Sequence, residues 1–332
     1  MDIKQDKYNI AVVVGGFSSE KEISVKSGTQ VAGWIDKNKF NVFLVHIYRN
    51  EWYCDLNGKK LPVNKDDFSV STGSETIKFD FAVIMIHGHP GENGILQGYF
   101  DLIGIPYSTS SARVSHLTFD KNLSKLYLEQ FGIKTAKSIL ITPATYSQNT
   151  IKQIASTLGF PVVIKPNASG SSFGVSLVKN ENELQQAIDN AFKEDPTKVL
   201  AEEYIKGTEV SCGVFADGKE IITMPPTEIV PETEFFDYEA KYLGKSKEIT
   251  PARLPQNILT AIQEESKRIY ELFMCYGIVR VDFIVSKGEL YYLEINTVPG
   301  MSAESIFPQQ AKAKGLSMTD IYTKVILNKL GR

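Results

Sequence analysis

Residues 277–305 read GIVRVDFIVSKGELYYLEINTVPGMSAES, and this stretch decides the fold. Two strand-like runs, 279–285 and 289–296, flank Ser286-Lys287-Gly288. That spacing suits a three-residue hairpin loop with glycine in the left-handed position. The pleat then puts Val281, Phe283, Val285, Tyr291, Leu293 and Ile295 on one apolar face. The opposite face carries Arg280, Asp282, Glu294 and Asn296. In this register Asp282 is diagonal to Glu294, with backbones roughly 7 Å apart, and long acid side chains converge across such a gap. Two carboxylates and an amide oxygen suit a hard cation such as Mg²⁺, which takes one or two carboxylates plus substrate phosphates. A salt-bridge cluster of Arg280, Asp282 and Glu294 fits the same face. The turn-forming run Thr297-Val298-Pro299-Gly300-Met301 favours the metal reading, because such a loop brings backbone N–H groups to whatever the cation holds.

Upstream, NIAVVV (9–14) has the unbroken apolar character of a buried parallel strand. Ser19 and Glu22 have capping-box spacing, which predicts a helix from about 20 to 36. A strand follows at 41–48. G-x-G-x-x-G is absent, so this β-α-β start is not a dinucleotide site. Glu20 by itself is a first-turn acid favoured by the helix dipole. FAVIMI (81–86) is a second buried strand; it runs into HGHPGENG (87–94) and then a helix over 95–103. Loops at the carboxyl ends of parallel strands are where open α/β sheets bind ligands. The first unit ends near Val114.

The pattern then gives an amphipathic helix over 117–131, with Leu123, Leu126, Tyr127 and Phe131 on its apolar side. A strand at 138–141 and a helix at 150–158 precede PVVIKP (161–166), NASGSSFG (167–174) and a strand at 175–178. A Walker A loop has its lysine after the glycines and opens a helix. Here Lys165 comes before them and the chain goes on as a strand. The loop therefore reads as a flap joining antiparallel strands, whose N–H groups and hydroxyls close over phosphates above Lys165. A lysine at the end of an apolar strand needs an anionic partner. Further elements are a helix at 181–192, strands at 199–202 and 208–216, and an Asp217-Gly218 turn into 220–224. FFDYEAKY (235–242) lies in a long polar stretch between strands, as lids do. Helices over 257–276 and 317–330 complete the pattern.

The chain carries 36 Lys and Arg against 39 Asp and Glu, a net charge of −3, so no basic excess exists to hold nucleic acid. Its three cysteines are far apart, with no metal-ligand spacing and no disulfide framework, which fits a reducing cytoplasm. The first seven residues are polar, unlike a signal peptide. No apolar run approaches the roughly 18 residues of a membrane span.

Five blocks in order, GGFSSEKEIS, HGHPGENG, KPNASGSSFG, DYEAKY and RVD with EINTVPGM, resemble the ATP-grasp superfamily and, within it, the D-alanine–D-alanine ligase family. The resemblance runs from about residue 9 to the C-terminus. It implies an α/β, three-domain ATP-grasp fold: an N-terminal α/β substrate-binding domain (1–114), a central subdomain (115–198) and a C-terminal subdomain with metal site and lid (199–332). The last two are α+β domains that clasp ATP. It implies ATP-dependent ligation of two D-alanines through an acyl phosphate, for peptidoglycan precursors, in a cytoplasmic homodimer that meets neither membrane nor nucleic acid.

Roles follow from the same resemblance. Lys121 and Lys165 would bind the ATP phosphates, Glu202 and Ile205 the adenine, and Glu209 the ribose. Ser171, Ser172 and the flap N–H groups would cover the phosphates, and Lys241 would reach the γ-phosphate. Asp282, Glu294 and Asn296 would hold two Mg²⁺, or Mn²⁺. Glu20 would anchor the first D-alanine's ammonium, with His87 beside its carboxylate. Ser305 would bind the second D-alanine, and Arg280 with the Gly300 N–H would form an oxyanion hole. Tyr242 is expected to hydrogen-bond to Ser171 and Glu20; members of the resembled group that make the D-lactate ester lack this tyrosine. Asn93 stands where many members have Asp, so no charge is carried over there. Two other readings are another carboxylate–amine or D-alanine–D-lactate ligase of the superfamily, and a regulator that keeps the clasp without turnover.

Overall fold

A computed structural model describes residues 7–170, 173–231 and 246–331. The first sheet contains β1 (Tyr8–Gly15), β2 (Phe40–Ile47), β3 (Trp52–Leu56), β4 (Lys59–Asn64), β5 (Ser69–Ser71), β6 (Thr76–Ile77) and β7 (Phe81–Ile84), in the order β6-β5-β4-β3-β2-β1-β7. β1 pairs in parallel with β2 and β7. Its pleat sends Ile10, Val12 and Val14 into one core and Ala11 and Val13 into another, as a strand covered on both faces requires. Helix α1 (Lys21–Trp34) follows β1. The expected capping box does not form: Glu20 is the N-cap and makes no side-chain cap bond. α2 (Ile95–Ile103) opens after the 87–94 loop.

The single helix expected over 117–131 is two, α3 (Ala112–Phe119) and α4 (Lys121–Glu129). Asp120 separates them in extended conformation and caps α4 by accepting from the Leu123 N–H. The face of α4 is also not the expected one. Ser124, Lys125 and Leu128 are its buried residues, whereas Leu123, Leu126 and Phe131 are exposed. Tyr127 is the exception, stacked on Phe273.

The second sheet, β10-β9-β11-β8, is built from β8 (Ser138–Ile141), β9 (Val162–Pro166), β10 (Ser176–Val178) and β11 (Val199–Glu203). α5 (Gln148–Thr157) and α6 (Glu181–Glu194) share its core. β11 pairs with both β8 and β9, so a boundary drawn between 198 and 199 separates this strand from its own sheet. Val114, Leu128 and Ile133, from α3, α4 and the turn after α4, pack instead into the core of the third sheet.

The third sheet has the order β15-β14-β12-β16-β17, with β13 also on β12. Its strands are β12 (Thr208–Ala216), β13 (Ile221–Thr223), β14 (Thr227–Pro231), β15 (Ser246–Ile249), β16 (Ile278–Ser286) and β17 (Glu289–Asn296). α7 (Gln256–Leu272) covers its apolar face. After β17 come α8 (Ile306–Ala313) and α9 (Met318–Lys329), which return to the first sheet and bury Phe307, Ile321, Tyr322 and Ile326 against Val12 and Val14.

The β16–β17 hairpin departs from the expectation in two ways. Its loop has two residues, Lys287 and Gly288, both at positive φ (52° and 82°), and Ser286 pairs with Glu289. The register also shifts between Asp282 and Phe283: Asp282 pairs with Glu294, while Phe283 pairs with Tyr292. Leu293 is the extra residue of a bulge. The bulge reverses the parity of β17, so Tyr292 joins Phe283 and Ile295 in the core. Tyr291 and Leu293, expected in that core, line the cleft instead. Asp282 and Glu294 are directly opposed, not diagonal.

Phe283 is fully buried where this sheet meets α7. Phe283→Ala is expected to destabilise the fold by about 3–5 kcal/mol, the usual cost of emptying a buried phenyl site. A denaturant titration followed by circular dichroism checks this, and a midpoint within error of the parent refutes it.

Candidate active site

A cleft of about 650 Å³ opens between the three sheets. Glu20, His87, Lys121, Lys165, Glu202, Ile205, Glu209, Arg280, Asp282, Glu294, Asn296, Gly300 and Ser305 all line it. Residues up to 285 positions apart in sequence thus share one wall system (Glu20 and Ser305). Ser171, Ser172, Lys241 and Tyr242 lie outside the described residues.

On the third sheet, Arg280 grips Asp282 as a fork: Nε donates to Oδ1 at 3.0 Å and Nη2 to Oδ2 at 2.8 Å. The Ser211 hydroxyl donates to Oδ1 at 2.5 Å and the Asn296 amide to Oδ2 at 3.0 Å. Four donors thus occupy the roughly four lone-pair directions of one carboxylate. Burial works against the Arg280 charge, but Asp282, with Glu294 and Glu248, raises its pKa further above the usual value. Glu294 is reached by the Lys121 ammonium at 3.3 Å. Of the two readings of this face, the Arg280–Asp282 salt bridge is therefore present, while Glu294 pairs with Lys121. The oxygen donors fit Mg²⁺ on one condition: Glu294 and the Asn296 carboxamide oxygen are hard ligands, and Asp282 would join them by releasing one of its four donors, a set too small to cage the ion without phosphates. Among the described residues no group of three or more His, Cys, Asp or Glu is arranged to hold a metal.

The second sheet supplies Lys165 and Glu202 from adjacent strands, β9 and β11. The anionic partner of Lys165 is Glu202, at 2.6 Å from Nζ to Oε2. The other carboxylate oxygen, Oε1, accepts from Lys125 of α4 at 2.5 Å. Burial alone would raise the Glu202 pKa; Lys165 and Lys125 outweigh it and hold the group below the usual carboxylate range. Lys125 also donates to the Ala136 carbonyl at 2.7 Å. Lys125 is not singled out by sequence pattern, because a lysine beside Leu126 in an amphipathic pattern reads as solvated. Its only signal was the spacing of four from Lys121, which puts both on one helix face.

Glu20 faces the flap. A Cβ added to Gly170 would lie 2.5 Å from a Glu20 carboxylate oxygen, so any larger residue there would have to displace the Glu20 carboxylate. Lys121 Nζ donates to the neighbouring Ser169 carbonyl at 2.7 Å. His87 ties the first sheet's loop to the loop after β17. Its Nδ1 donates to the Val298 carbonyl at 2.8 Å, which fixes the proton on Nδ1. Nε2 lies 3.2 Å from the Ser27 hydroxyl, and that hydroxyl accepts from the Met301 N–H at 3.3 Å. His87 thus brackets Gly300 from both sides. Glu92, from the same block, does similar work: its oxygens accept from the Gly88 N–H at 3.1 Å and the Val298 N–H at 3.3 Å. Ser305 is the N-cap residue of α8, and its hydroxyl lies 2.9 Å from that of Ser302. Apolar side chains not singled out from sequence, including Val163, Val175, Val230, Ile284 and Leu293, line the cleft as well.

Comparison with known proteins gives a consistent set. The family model described as D-ala D-ala ligase N-terminus matches residues 9–110, and the one described as D-ala D-ala ligase C-terminus matches residues 127–327. The chain is similar to D-alanine–D-alanine ligase of Phocaeicola vulgatus, 45% identical over 325 residues, 97% of this chain and 99% of the relative. It is similar to the Flavobacterium johnsoniae enzyme of the same name, 46% identical over 319 residues, 96% and 98% of the two chains. Among solved structures it resembles the VanG D-Ala:D-Ser ligase of Enterococcus faecalis, with TM-score 0.87, 34% identity, and 97% and 99% of the two chains covered. It also resembles the D-alanine–D-alanine ligase of Bacillus anthracis complexed with ATP, with TM-score 0.77, 31% identity and 98% of each chain covered.

Burial, and after it the Glu20 charge, pushes the Glu92 carboxyl from 4.5 up to about 7, against the pull of its two N–H donors. Between those values the folded chain holds a proton that the unfolded chain has released. Stability from this group is therefore present below about pH 4.5 and is lost as pH rises to about 7. Glu92→Gln removes this slope. Its melting temperature relative to the parent is expected to climb from pH 4.5 to pH 7.5, as read by thermal melts in matched buffers. A constant difference across that range refutes the raised pKa.

Proposed function

Since the chain belongs to the D-alanine–D-alanine ligase family, we propose that it joins two D-alanines into D-alanyl-D-alanine at the expense of ATP. The observation that carries this reading is the shared face of β16 and β17. There the Arg280–Asp282 fork, Glu294 and Asn296 lie next to the loop that presents the Gly300 N–H. One sheet face so equipped has donors for an oxyanion beside oxygen ligands for a cation. Lys121 and Lys165 are at hand for phosphates, and the apolar wall suits a purine between Val163 and Leu293.

The reaction follows from these parts. Glu20 holds the ammonium of the first D-alanine and so aims its carboxylate at the nucleotide. One carboxylate oxygen attacks the γ-phosphorus, the bond to the β-γ bridging oxygen breaks, and ADP leaves. Asp282, Glu294 and Asn296 would hold two Mg²⁺ ions, or Mn²⁺, which when bound would neutralise charge for this transfer. The deprotonated amine of the second D-alanine then attacks the acyl phosphate. Arg280, through the guanidinium edge not spent on Asp282, and the Gly300 N–H stabilise the resulting oxyanion until phosphate departs. Losing one such donor typically costs about 100-fold or more in rate. Ser305, at the N-terminus of α8, binds the second substrate's carboxylate, where a helix start favours anions. Lys241 and Tyr242 are assigned to the lid, with Ser171 and Ser172 on the flap, to exclude the water that would hydrolyse the acyl phosphate. Glu202 and Ile205 serve the adenine and Glu209 the ribose. Three units, divided after Glu203 rather than before Val199, a homodimer and a cytoplasmic place in peptidoglycan precursor synthesis go with this reading.

Purified protein with ATP and Mg²⁺ is expected to release ADP with D-alanine and not with L-alanine, and mass spectrometry should find D-alanyl-D-alanine. Offered D-serine or D-lactate beside D-alanine, it should still give mainly the D-alanine dipeptide. ATP binding without D-alanine-dependent ADP, or a mainly mixed product, would overturn the proposal. Glu294→Gln should abolish turnover while the melting temperature stays near that of the parent. Retained activity with an unchanged Mg²⁺ requirement would remove Glu294 from the metal site.

A further inference from the structure

The cleft wall contains a three-charge unit whose charges do not cancel. Glu202 gives Oε1 to Lys125 at 2.5 Å and Oε2 to Lys165 at 2.6 Å. All three side chains are at most 6% exposed. Two ammonium groups thus share one carboxylate, out of water, and among the described residues no second acid is in ion-pair contact with either lysine; Glu129 acts on Lys125 only at longer range. Burying two cations against one acid is costly, and a further anion at the cleft face would relieve it. The two lysines are not equivalent. Lys165 and Glu202 face the cleft, while Lys125 lies behind them and is not part of its lining. Lys125 is held twice, by Glu202 and by the Ala136 carbonyl at 2.7 Å. It projects from α4, one helical turn from Lys121.

We propose that Lys125 is a standing counter-ion for Glu202, whose presence allows Lys165 to turn from that carboxylate to the phosphates of a nucleotide. Without Lys125, a phosphate that draws Lys165 away leaves Glu202 ionised, buried and unpaired. With Lys125 in place the exchange costs one hydrogen bond and gains another. Burial, together with the repulsion of Lys165, lowers the Lys125 pKa, and this shows two cations crowding one acid. Lys125 touches no substrate; it is a positioning residue that acts through Lys165. The inference rests on the ATP reading of the cleft, but its test separates the two.

The readout is the ratio of ADP affinity to adenosine affinity, measured by calorimetry on the full chain. This ratio isolates what the phosphates add. Lys125→Met keeps the length of the side chain and leaves Lys165 and Glu202 as a neutral pair. The ratio should fall about 10- to 100-fold, the worth of a charge-assisted hydrogen bond, with adenosine affinity unchanged. Adding Glu202→Gln removes the competing carboxylate and should return the ratio to within about threefold of the parent, a rescue that a merely structural role does not predict. An unchanged ratio in Lys125→Met, or an equal loss for both ligands, overturns the inference. So does a double variant that stays as weak as the single one. If Lys125→Met does not fold, the double variant carries the test: a near-parent ratio supports the inference and a tenfold deficit overturns it. Failure of the parent protein to bind ADP would instead strike the ATP reading itself.

Discussion

Taking a charge out of water costs several kcal/mol unless a partner of opposite sign is fixed beside it. The ion pairs of the cleft wall answer this constraint. Arg280 is forked onto Asp282, Lys121 reaches Glu294, and Lys165 shares Glu202 with Lys125. These contacts span elements: α4 to the third sheet, α4 to the second, and β9 to β11. The pairs do more than neutralise. A cation that binds phosphate, or an acid that binds a metal, has to be kept ionised and aimed before its ligand arrives. An opposed charge at hydrogen-bonding distance achieves both. On the proposed reading, nucleotide phosphates and their cations would enter by exchanging partners, which demands far less than ionising the wall anew.

The same wall is tied to the first sheet by backbone-directed bonds rather than by charge. His87 and Glu92, both in the loop after β7, grip Val298 on its carbonyl and its N–H respectively. Ser27 of α1 reaches Met301. Between these anchors sits Gly300, whose N–H the proposed mechanism assigns to the developing oxyanion, a task that needs a donor fixed in place. Behind the loop, α8 and α9 pack into the core of the first sheet. The chain thus ends by stitching its third unit to its first, and a loop that looks irregular in sequence is among the most firmly held parts of the cleft.

The strands, and among the cleft residues Lys165, Arg280, Asp282, Glu294 and Asn296, are legible in local pattern, whereas Lys121, Glu202, Ile205, Glu209 and Ser305 follow only from the resemblance of the five blocks. Buried parallel strands are apolar without interruption, and polar residues at the ends of strands point to ligands. What could not be read depends on partners distant in sequence. LYYLEIN alternates well enough to hide a bulge; only the fit of Tyr292 and Phe283 in one core, with Asp282 opposite Glu294, puts Leu293 out of step. The face of α4 was read backwards because its buried side carries Ser124 and Lys125. Their partners Tyr292 and Glu202 lie far along the chain. Ser19 and Glu22 have the spacing of a capping box, yet Glu20 is the N-cap and lies against the flap. Lys165 was rightly given an anion, but a neighbouring strand supplies one before any phosphate does.

Helix α4 shows why the two sheets of the clasp behave as one site. Lys121 and Lys125 are four positions apart, so both ammonium groups leave the same face of the helix, about one turn apart. Lys121 reaches Glu294 on β17 and the Ser169 carbonyl of the flap. Lys125 reaches Glu202 on β11. Between them Ser124 meets the Tyr292 hydroxyl of β17. A nine-residue helix thus takes hold of both sheets and the flap at once. Any ligand that draws on Lys121 or on the Lys165–Glu202 pair acts on contacts of this helix, and through it on the sheet it does not touch. Leaving Leu123 and Leu126 exposed is consistent with that arrangement, since the inner face of α4 carries Ser124 and Lys125 beside a single buried leucine, Leu128.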